Sequence, residues 1–332
     1  MITLEGHLKK ICDNTDNELY NNWIVIKREL TNKLNTVTSY FQHFSMHDAS
    51  HCEQICSNIE RFLGVERIEK LSVTDTWMLL MAFYSHDLGM ALKYEDIELT
   101  FQDEKFKDEL KKLKNGDNIE LSGIANKILN MQEKKDYEVN VELNILDMYR
   151  NVQIIIEEHY RKGHALRSGD YIEKFLKEKF SDINLRMIDL LKKVCISHQE
   201  DIRNIDMLYY EENGLFHQDY VHPRFIAGML CLGDLLDMDT NRFNKYLLES
   251  ASTLSEQSKL HLEKHRALKH FLITPRGIEI EIDSPSMKVH RVVSEWIQWL
   301  EETINYLALR WSSVAPINFG APPQITNKKL LI

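Results

Sequence analysis

The strongest constraint on this chain is a helical run that should be buried on nearly every side yet ends in two chemically demanding residues. After Ser72 or Thr74, either of which could cap a helix, the sequence reads DTWMLLMAFYSHDLGMAL. Its apolar character is almost continuous, which suits a helix surrounded by protein rather than one with a wet face. At its end stand His86 and Asp87. A carboxylate in such surroundings is costly unless it is paired or bound to a metal. A neutral imidazole beside it makes a good start for a divalent-metal site. By itself the dipeptide is a weak signal, because His-Asp recurs by chance.

The rest of the chain is helical in pattern as well. Apolar residues recur at helical spacing over about 17–44 (Leu19, Trp23, Ile26, Leu30, Leu34). They do so again over 49–63, where Gly64 is a plausible stop, and over 141–160, 165–180, 185–198 and 224–248. Residues 101–140 carry charges of both signs at helical spacing, which reads as a solvated insertion or a lid. Late in the chain, HFLITPRGIEIEI reads as a β-hairpin around Pro-Arg-Gly, with period-two alternation in GIEIEI. A last amphipathic helix follows, and then a segment with three of the chain's six prolines that reads as a linker or tail.

The expected architecture is therefore all-α, a helical bundle with a small β-hairpin near the C-terminus. The divisions are an N-terminal helical segment (1–44), a core (45–248) with a charged insertion at about 95–145, a helix–hairpin–helix extension (249–315) and a tail (316–332).

Composition excludes several classes. Of the 332 residues, 43% are hydrophobic, enough for a sizeable core. A net charge of −10 argues against a general binder of long nucleic acid or of anionic membranes, although a local basic groove remains open. No run approaches the ~18 apolar residues of a membrane span. Five scattered cysteines and a start without an apolar leader fit reduced thiols in the cytoplasm.

The 14 histidines are unevenly placed. Besides His86-Asp87 there are His47 and His51 in HDASHCEQI, His159 and His164 in HYRKGHALRS, His198 in ISHQE, and Asp234 in LGDLLDMD. The candidates sit on different expected helices, each flanked by apolar residues that would turn it inward. Such helices can converge His and Asp side chains on one interior point. Others have plainer readings. Cys52 and Cys56 lack zinc-knuckle spacing and read as buried thiols, while His261 and His265 have charged neighbours and read as an exposed helix face. Neither a P-loop nor a Rossmann glycine pattern is present.

The order His51 in HCEQI, His86-Asp87 in FYSHDLGM and Asp234 in LCLGDLLDMD resembles the HD-domain superfamily of metal-dependent phosphohydrolases over about residues 45–245. On that resemblance His51, His86, Asp87 and Asp234 would bind a first metal. His164 and His198 look like the additional ligands of two-metal branches, with Asp87 bridging the ions or orienting water. One histidine of the usual second signature is replaced by Gln199, and the Gly-Tyr-Pro element of cyclic-di-GMP phosphodiesterases is absent. The look is closer to HD domains of bacterial multidomain proteins, including some fused to Hsp90-like ATPases, which leaves room for a partner protein or fused domain.

The implied cofactor is one or two divalent ions, and these ligands suit Mn, Mg, Fe, Ni or Zn. The implied substrate is a nucleotide. Arg161, Lys162, Arg167 and Arg242 would be its phosphate contacts, since cations and above all the guanidinium fork suit phosphate, and His159 would be the acid for the leaving group. Arg161 and Lys162 read equally well as solvated helix charges, and Arg242 as a partner of Asp237 or Asp239. The alternatives are a non-catalytic HD-fold nucleotide sensor or scaffold, and an HD nuclease.

Overall fold

The computed structural model describes residues 2–15, 18–39, 41, 48–133, 145–180, 183–198, 201–216, 218–238 and 256–332. His47, Gln199, Glu200, Asp239 and Arg242 lie outside the described residues, as does the stretch 239–248 expected to continue a helix.

The helices run α1 (Leu4–Thr15), α2 (Leu19–Leu34), α3 (Ala49–Ile68), α4 (Val73–Ser85), α5 (Tyr94–Gln102), α6 (Glu104–Lys114) and α7 (Ile119–Glu133). They continue with α8 (Ile145–Arg161), α9 (His164–Lys179), α10 (Leu185–Ser197), α11 (Pro223–Leu235), α12 (Glu256–Ala267) and α13 (Met287–Leu309). The run singled out by its apolar continuity is α4. Every residue from Thr74 to Ser85 is buried, and α1, α2, α3, α9, α10 and α11 pack around it. Ser72, not Thr74, caps it, its Oγ accepting the Asp75 N–H at 2.9 Å. Such a cap is worth about 1 kcal/mol.

Thr74 has another partner. Its hydroxyl and backbone N–H both bond Asp219, just before the short strand β2 (Tyr220–Val221), which pairs antiparallel with β1 (Glu212–Asn213). Asp75 is 1% exposed. Its oxygens accept the backbone N–H of His222 at 2.7 Å and the His222 Nδ1–H at 2.8 Å. Two carboxylates at the start of α4 also face the positive end of the helix dipole.

The charged insertion is not simply a solvated layer. Helices α5 to α8 enclose a second apolar cluster of their own. It includes Phe106, Leu110, Ile128, Ile155 and Tyr160, and it reaches Met90 and Leu92 just past the 88–90 turn. Gly64 does end the straight part of α3, with φ 72°, but the helix resumes to Ile68. His265 corrects the expectation of an exposed histidine face on α12. It is 2% exposed, because it lies three residues from the buried Leu262 on the side turned to the protein.

The hairpin is present as β3 (Leu268–Thr274) and β4 (Gly277–Asp283), antiparallel around Pro275-Arg276. The segment expected to be linker or tail is different from its reading. Residues Ile325–Leu331 form a third strand, β5, parallel to β4. The proline-containing approach to it is tied down by α3, where Arg67 donates to the Phe319 and Ala321 carbonyls (2.7 and 2.6 Å). An edge strand does not need an alternating apolar pattern, and charged residues such as Lys328 and Lys329 protect an edge from further pairing.

The Asp75–His222 pair gives a test in pH. Burial pushes the His222 imidazole down, but the bond and charge of Asp75 outweigh it and leave it above the usual range. The charged pair's contribution is therefore complete below about pH 6.5 and is lost as pH rises through the elevated value. His222→Gln should lower the thermal midpoint most near about pH 6 and progressively less toward about pH 9. A gap in melting temperature that does not change with pH would mean that the pair acts only as a neutral hydrogen bond.

Candidate metal centre

Five helix ends meet at one point. His51 stands in the first turn of α3, whose N-cap Asp48 accepts the Ser50 N–H at 2.9 Å. His86 closes α4, with its N–H bonded to the Ala82 carbonyl, and Asp87 opens the tight turn at Leu88–Met90. His164 is the first residue of α9, immediately after Gly163 in the left-handed region (φ 69°). His198 follows the last residue of α10, and Asp234 lies at the end of α11.

The 88–90 turn can lie flat on the start of α9 only because residue 89 is glycine. A Cβ there would fall 2.2 Å from the His164 carbonyl oxygen and 2.8 Å from the Ser168 nitrogen. The close approach lets the Gly89 N–H reach the Ser168 hydroxyl at 2.8 Å.

Four imidazoles share one orientation. His51 Nδ1 bonds Asp237 Oδ2 (2.5 Å), His86 Nδ1 the Phe83 carbonyl (3.0 Å), His164 Nδ1 the Arg161 carbonyl (2.9 Å) and His198 Nδ1 the Cys195 carbonyl (2.5 Å). All four partners are acceptors, so each Nδ1 carries a hydrogen and each ring turns its Nε2 inward. These nitrogens confront one another. His51 and His86 Nε2 are 3.2 Å apart, and His164 and His198 Nε2 are 2.8 Å apart. At that distance two such nitrogens are accommodated by a proton or a metal ion between or beside them.

Asp87 joins the two pairs. Its Oδ2 is 3.0 Å from His86 Nε2 and 3.5 Å from His51 Nε2, while its Oδ1 is 3.1 Å from His164 Nε2. The donors thus form two groups able to hold a metal, His51–His86–Asp87 and Asp87–His164–His198. Asp234 Oδ1 approaches the first from the open side, 3.3 Å from His51 Nε2. Its side chain is 37% exposed, against 4% for Asp87.

The electrostatics separate the two histidines of the second group: burial lowers His164, but the bond and charge of Asp87 outweigh it and leave it raised. Burial and the neighbouring His86 and His164 push His198 down to about 3, which keeps the ring neutral. Burial raises the Asp234 carboxyl, but the His51 bond and charge outweigh it and leave it lowered, hence ionised. Burial also raises the nearby thiols, Cys231 to about 12, so none is a thiolate rival for a metal or a nucleophile. Imidazole nitrogens and carboxylate oxygens around a cluster of like-facing lone pairs fit a divalent first-row ion.

The structure brings together all six residues expected as ligands: His51, His86, Asp87, His164, His198 and Asp234. Three of the expected phosphate contacts, Arg161, Lys162 and Arg167, are placed elsewhere, and Arg242 lies outside the described residues. Arg167 donates to the carbonyls of Gly89 (3.2 Å), Lys162 (3.1 Å) and Tyr160, and lies over the Tyr160 ring. Lys162 pairs with Glu109 and Glu158. Arg161 offers the centre its backbone carbonyl, while its side chain lines a small cavity with Glu157 and Glu158. The left-handed Gly163 reverses the chain between these cations and His164, so turning His164 inward turns them away. His159 Nδ1 bonds Glu109 at 2.6 Å, with Phe106 and Tyr160 rings against it, inside the α5–α8 layer.

Asp237 is the residue that sequence reasoning passed over as a functional one. It is 2% exposed and fixes the His51 ring. The signal was the i, i+3 spacing of Asp234 and Asp237; Asp237 stands just past the end of α11, with its N–H on the Asp234 carbonyl at 3.2 Å. Its segment is held by side chains that satisfy the free carbonyls at the end of α11: Trp296 Nε1 donates to Leu235 and Asn58 Nδ2 to Leu236.

A family model described as HD-CE matches residues 41–306. Neither the curated proteins nor the solved structures contain a match to the chain.

Loading the protein with Mn²⁺ and measuring bound metal by mass spectrometry tests the division into two groups. The expected content is about two ions per chain, falling by about one in His198→Ala with helicity by circular dichroism retained. Equal metal content in the variant and the wild type would leave His164 and His198 outside metal binding.

Proposed function

The chain belongs to the HD-CE family, and we propose that its centre hydrolyses a phosphate ester or anhydride of a nucleotide. One observation carries the reading: four imidazoles, each locked by its Nδ1–H, present their Nε2 lone pairs in two pairs on either side of Asp87. The arrangement is costly for a structural core and suited to holding divalent cations. His51, His86, Asp87 and Asp234 would hold one ion, and Asp87, His164 and His198 a second. Bound there, such ions polarise phosphoryl oxygens and lower the pKa of water from 15.7 toward about 7.

The protein's own contribution is placement. Asp87 turns one carboxylate oxygen to each histidine pair and is held by the turn that Gly89 allows. Asp237 holds His51 in the one ring orientation that points Nε2 inward. The backbone carbonyls of Phe83, Arg161 and Cys195 do the same for the other three rings. Among these ligands Asp234 is the most open to solvent, so a phosphate approaches from the end of α11. The nucleotide class rests on the superfamily resemblance, and the net charge of −10 favours small nucleotides over long polyanions.

Release of phosphate, pyrophosphate, triphosphate and nucleoside should be followed over NTPs, dNTPs, cyclic nucleotides and short oligonucleotides, with Mn²⁺, Mg²⁺ or Ni²⁺. Turnover of a nucleotide is expected, falling to background in Asp87→Ala with the helical fold intact. Asp237→Asn should retain the fold and lose about 10–100-fold in activity or metal affinity. Metal binding without turnover of any substrate would replace the hydrolase with a nucleotide sensor, and cleavage confined to oligonucleotides would make it a nuclease.

A further inference from the structure

A cavity of about 680 Å³ opens beside the 88–90 turn, and no residue of the metal centre lines it. Its walls come from the end of α2, residues 88–93, α5, the end of α8 and one face of α9. On α9 the lining positions are Arg167, Tyr171, Lys174, Phe175, Glu178 and Lys179, spaced as one helical face. The volume is that of a small-molecule site.

Two properties set it apart from an ordinary surface cleft. The first is charge. Five basic side chains line it (Lys33, Lys93, Arg167, Lys174, Lys179) against three acidic ones (Asp96, Asp103, Glu178), in a chain whose overall balance is strongly acidic. Among the described residues no carboxylate lies within salt-bridge distance of Lys33 or Lys93. Lys33 is instead hydrogen-bonded to the Ala91 carbonyl at 2.6 Å. Burial and then the Lys93 charge hold its ammonium below the usual range, with Asp96 offsetting them only in part. Lys174 reaches Glu178 at 3.9 Å and Lys179 reaches Glu29 at 3.0 Å.

The second is aromatic surface. Tyr171 and Phe175 lie nearly parallel, 11° apart with ring centroids at 6.2 Å. Lys33 lies over Tyr171 and Lys179 over Phe175, at 5.4 and 5.2 Å from the ring centroids. Cations interleaved with flat rings accept a ligand that has both an anionic group and a planar ring.

We propose that this cavity is a second ligand site, for a ring-bearing phosphate of mononucleotide size. Its phosphate lies among Lys33, Lys93 and Lys174, and its ring lies against Tyr171, the half-buried member of the ring pair. The site stands apart from the hydrolytic reading and does not depend on it. Its floor is the Leu88-Gly89 segment that follows Asp87, so the ligand would rest on the back of the turn that places the shared carboxylate.

The test is calorimetric titration of the full chain in EDTA with AMP, adenosine or inorganic phosphate. EDTA keeps the metal centre from holding phosphate through an ion, and binding is read without turnover. AMP should bind one per chain, at least about tenfold tighter than adenosine or phosphate. The double variant Lys93→Glu/Lys174→Glu, at two exposed positions, should weaken AMP by about tenfold or more. The same charge change at exposed positions elsewhere, Lys269→Glu/Lys288→Glu, should leave it unchanged. Absence of AMP binding at millimolar concentration, or AMP binding that survives the Lys93/Lys174 change, overturns the proposal. Equal weakening by the control pair reduces it to bulk charge and overturns it as well.

Discussion

The molecule is organised around four imidazoles whose Nε2 atoms are brought together at one interior point. A buried neutral histidine normally uses one ring nitrogen as donor and finds a donor for the other. Here four rings give their Nδ1 hydrogen to a carbonyl or carboxylate behind them and are left with nitrogens confronting nitrogens. The surrounding helices must hold that arrangement in place by packing. They do so with helix ends, where the backbone turns sharply and side chains project forward. Asp87, reaching both pairs, makes the centre one electrostatic unit rather than two adjacent ones.

Helix α4 links this centre to the rest of the core. Its apolar surface is enclosed by six other helices, and its start is fixed by Asp219 and by Asp75 bonded to His222. With one end anchored through carboxylates and the other delivering His86 and Asp87, the helix has little freedom to slide or rotate. The second apolar cluster, under α5 to α8, supports the far side of the 88–90 turn through Met90 and Leu92. The charged insertion therefore buttresses the centre with its own core.

How much of this was legible in the sequence follows from what each feature depends on. The buried helix was visible because a fully enclosed helix leaves a continuous apolar run. The ligand residues were visible because His and Asp among apolar neighbours need a partner. Asp237 was not singled out, because its role is to orient His51 across 186 positions of sequence, and nothing local distinguishes a carboxylate that orients from one that ligates. The basic residues around His164 were misplaced for a similar reason. For Arg161 and Lys162 proximity in sequence suggested proximity in space, but Gly163 in the left-handed region separates them from His164, while Arg167 on α9 is taken up by backbone carbonyls. The strand β5 was hidden because an edge strand with polar and charged positions carries no amphipathic signature, and the prolines that precede it resemble those of a linker. The buried His265 shows that charged sequence neighbours do not decide which way one side chain faces.

The hydrogen bond from Trp296 to the Leu235 carbonyl has a consequence for the order in which the protein can form. The segment carrying Asp234 and Asp237 is steadied by a residue 61 positions further along, and the far end of His51's own helix is clasped to residues 318–321. On a ribosome, every ligand, with Asp237 and the carbonyls that orient the rings, will have emerged before these C-terminal contacts. A nascent chain at that stage holds all the donors but lacks the braces on the ends of α3 and α11. Long-range closures of this kind are slow. The centre is therefore fully braced only when α13 has packed on α11 and residues 318–321 have closed on the end of α3.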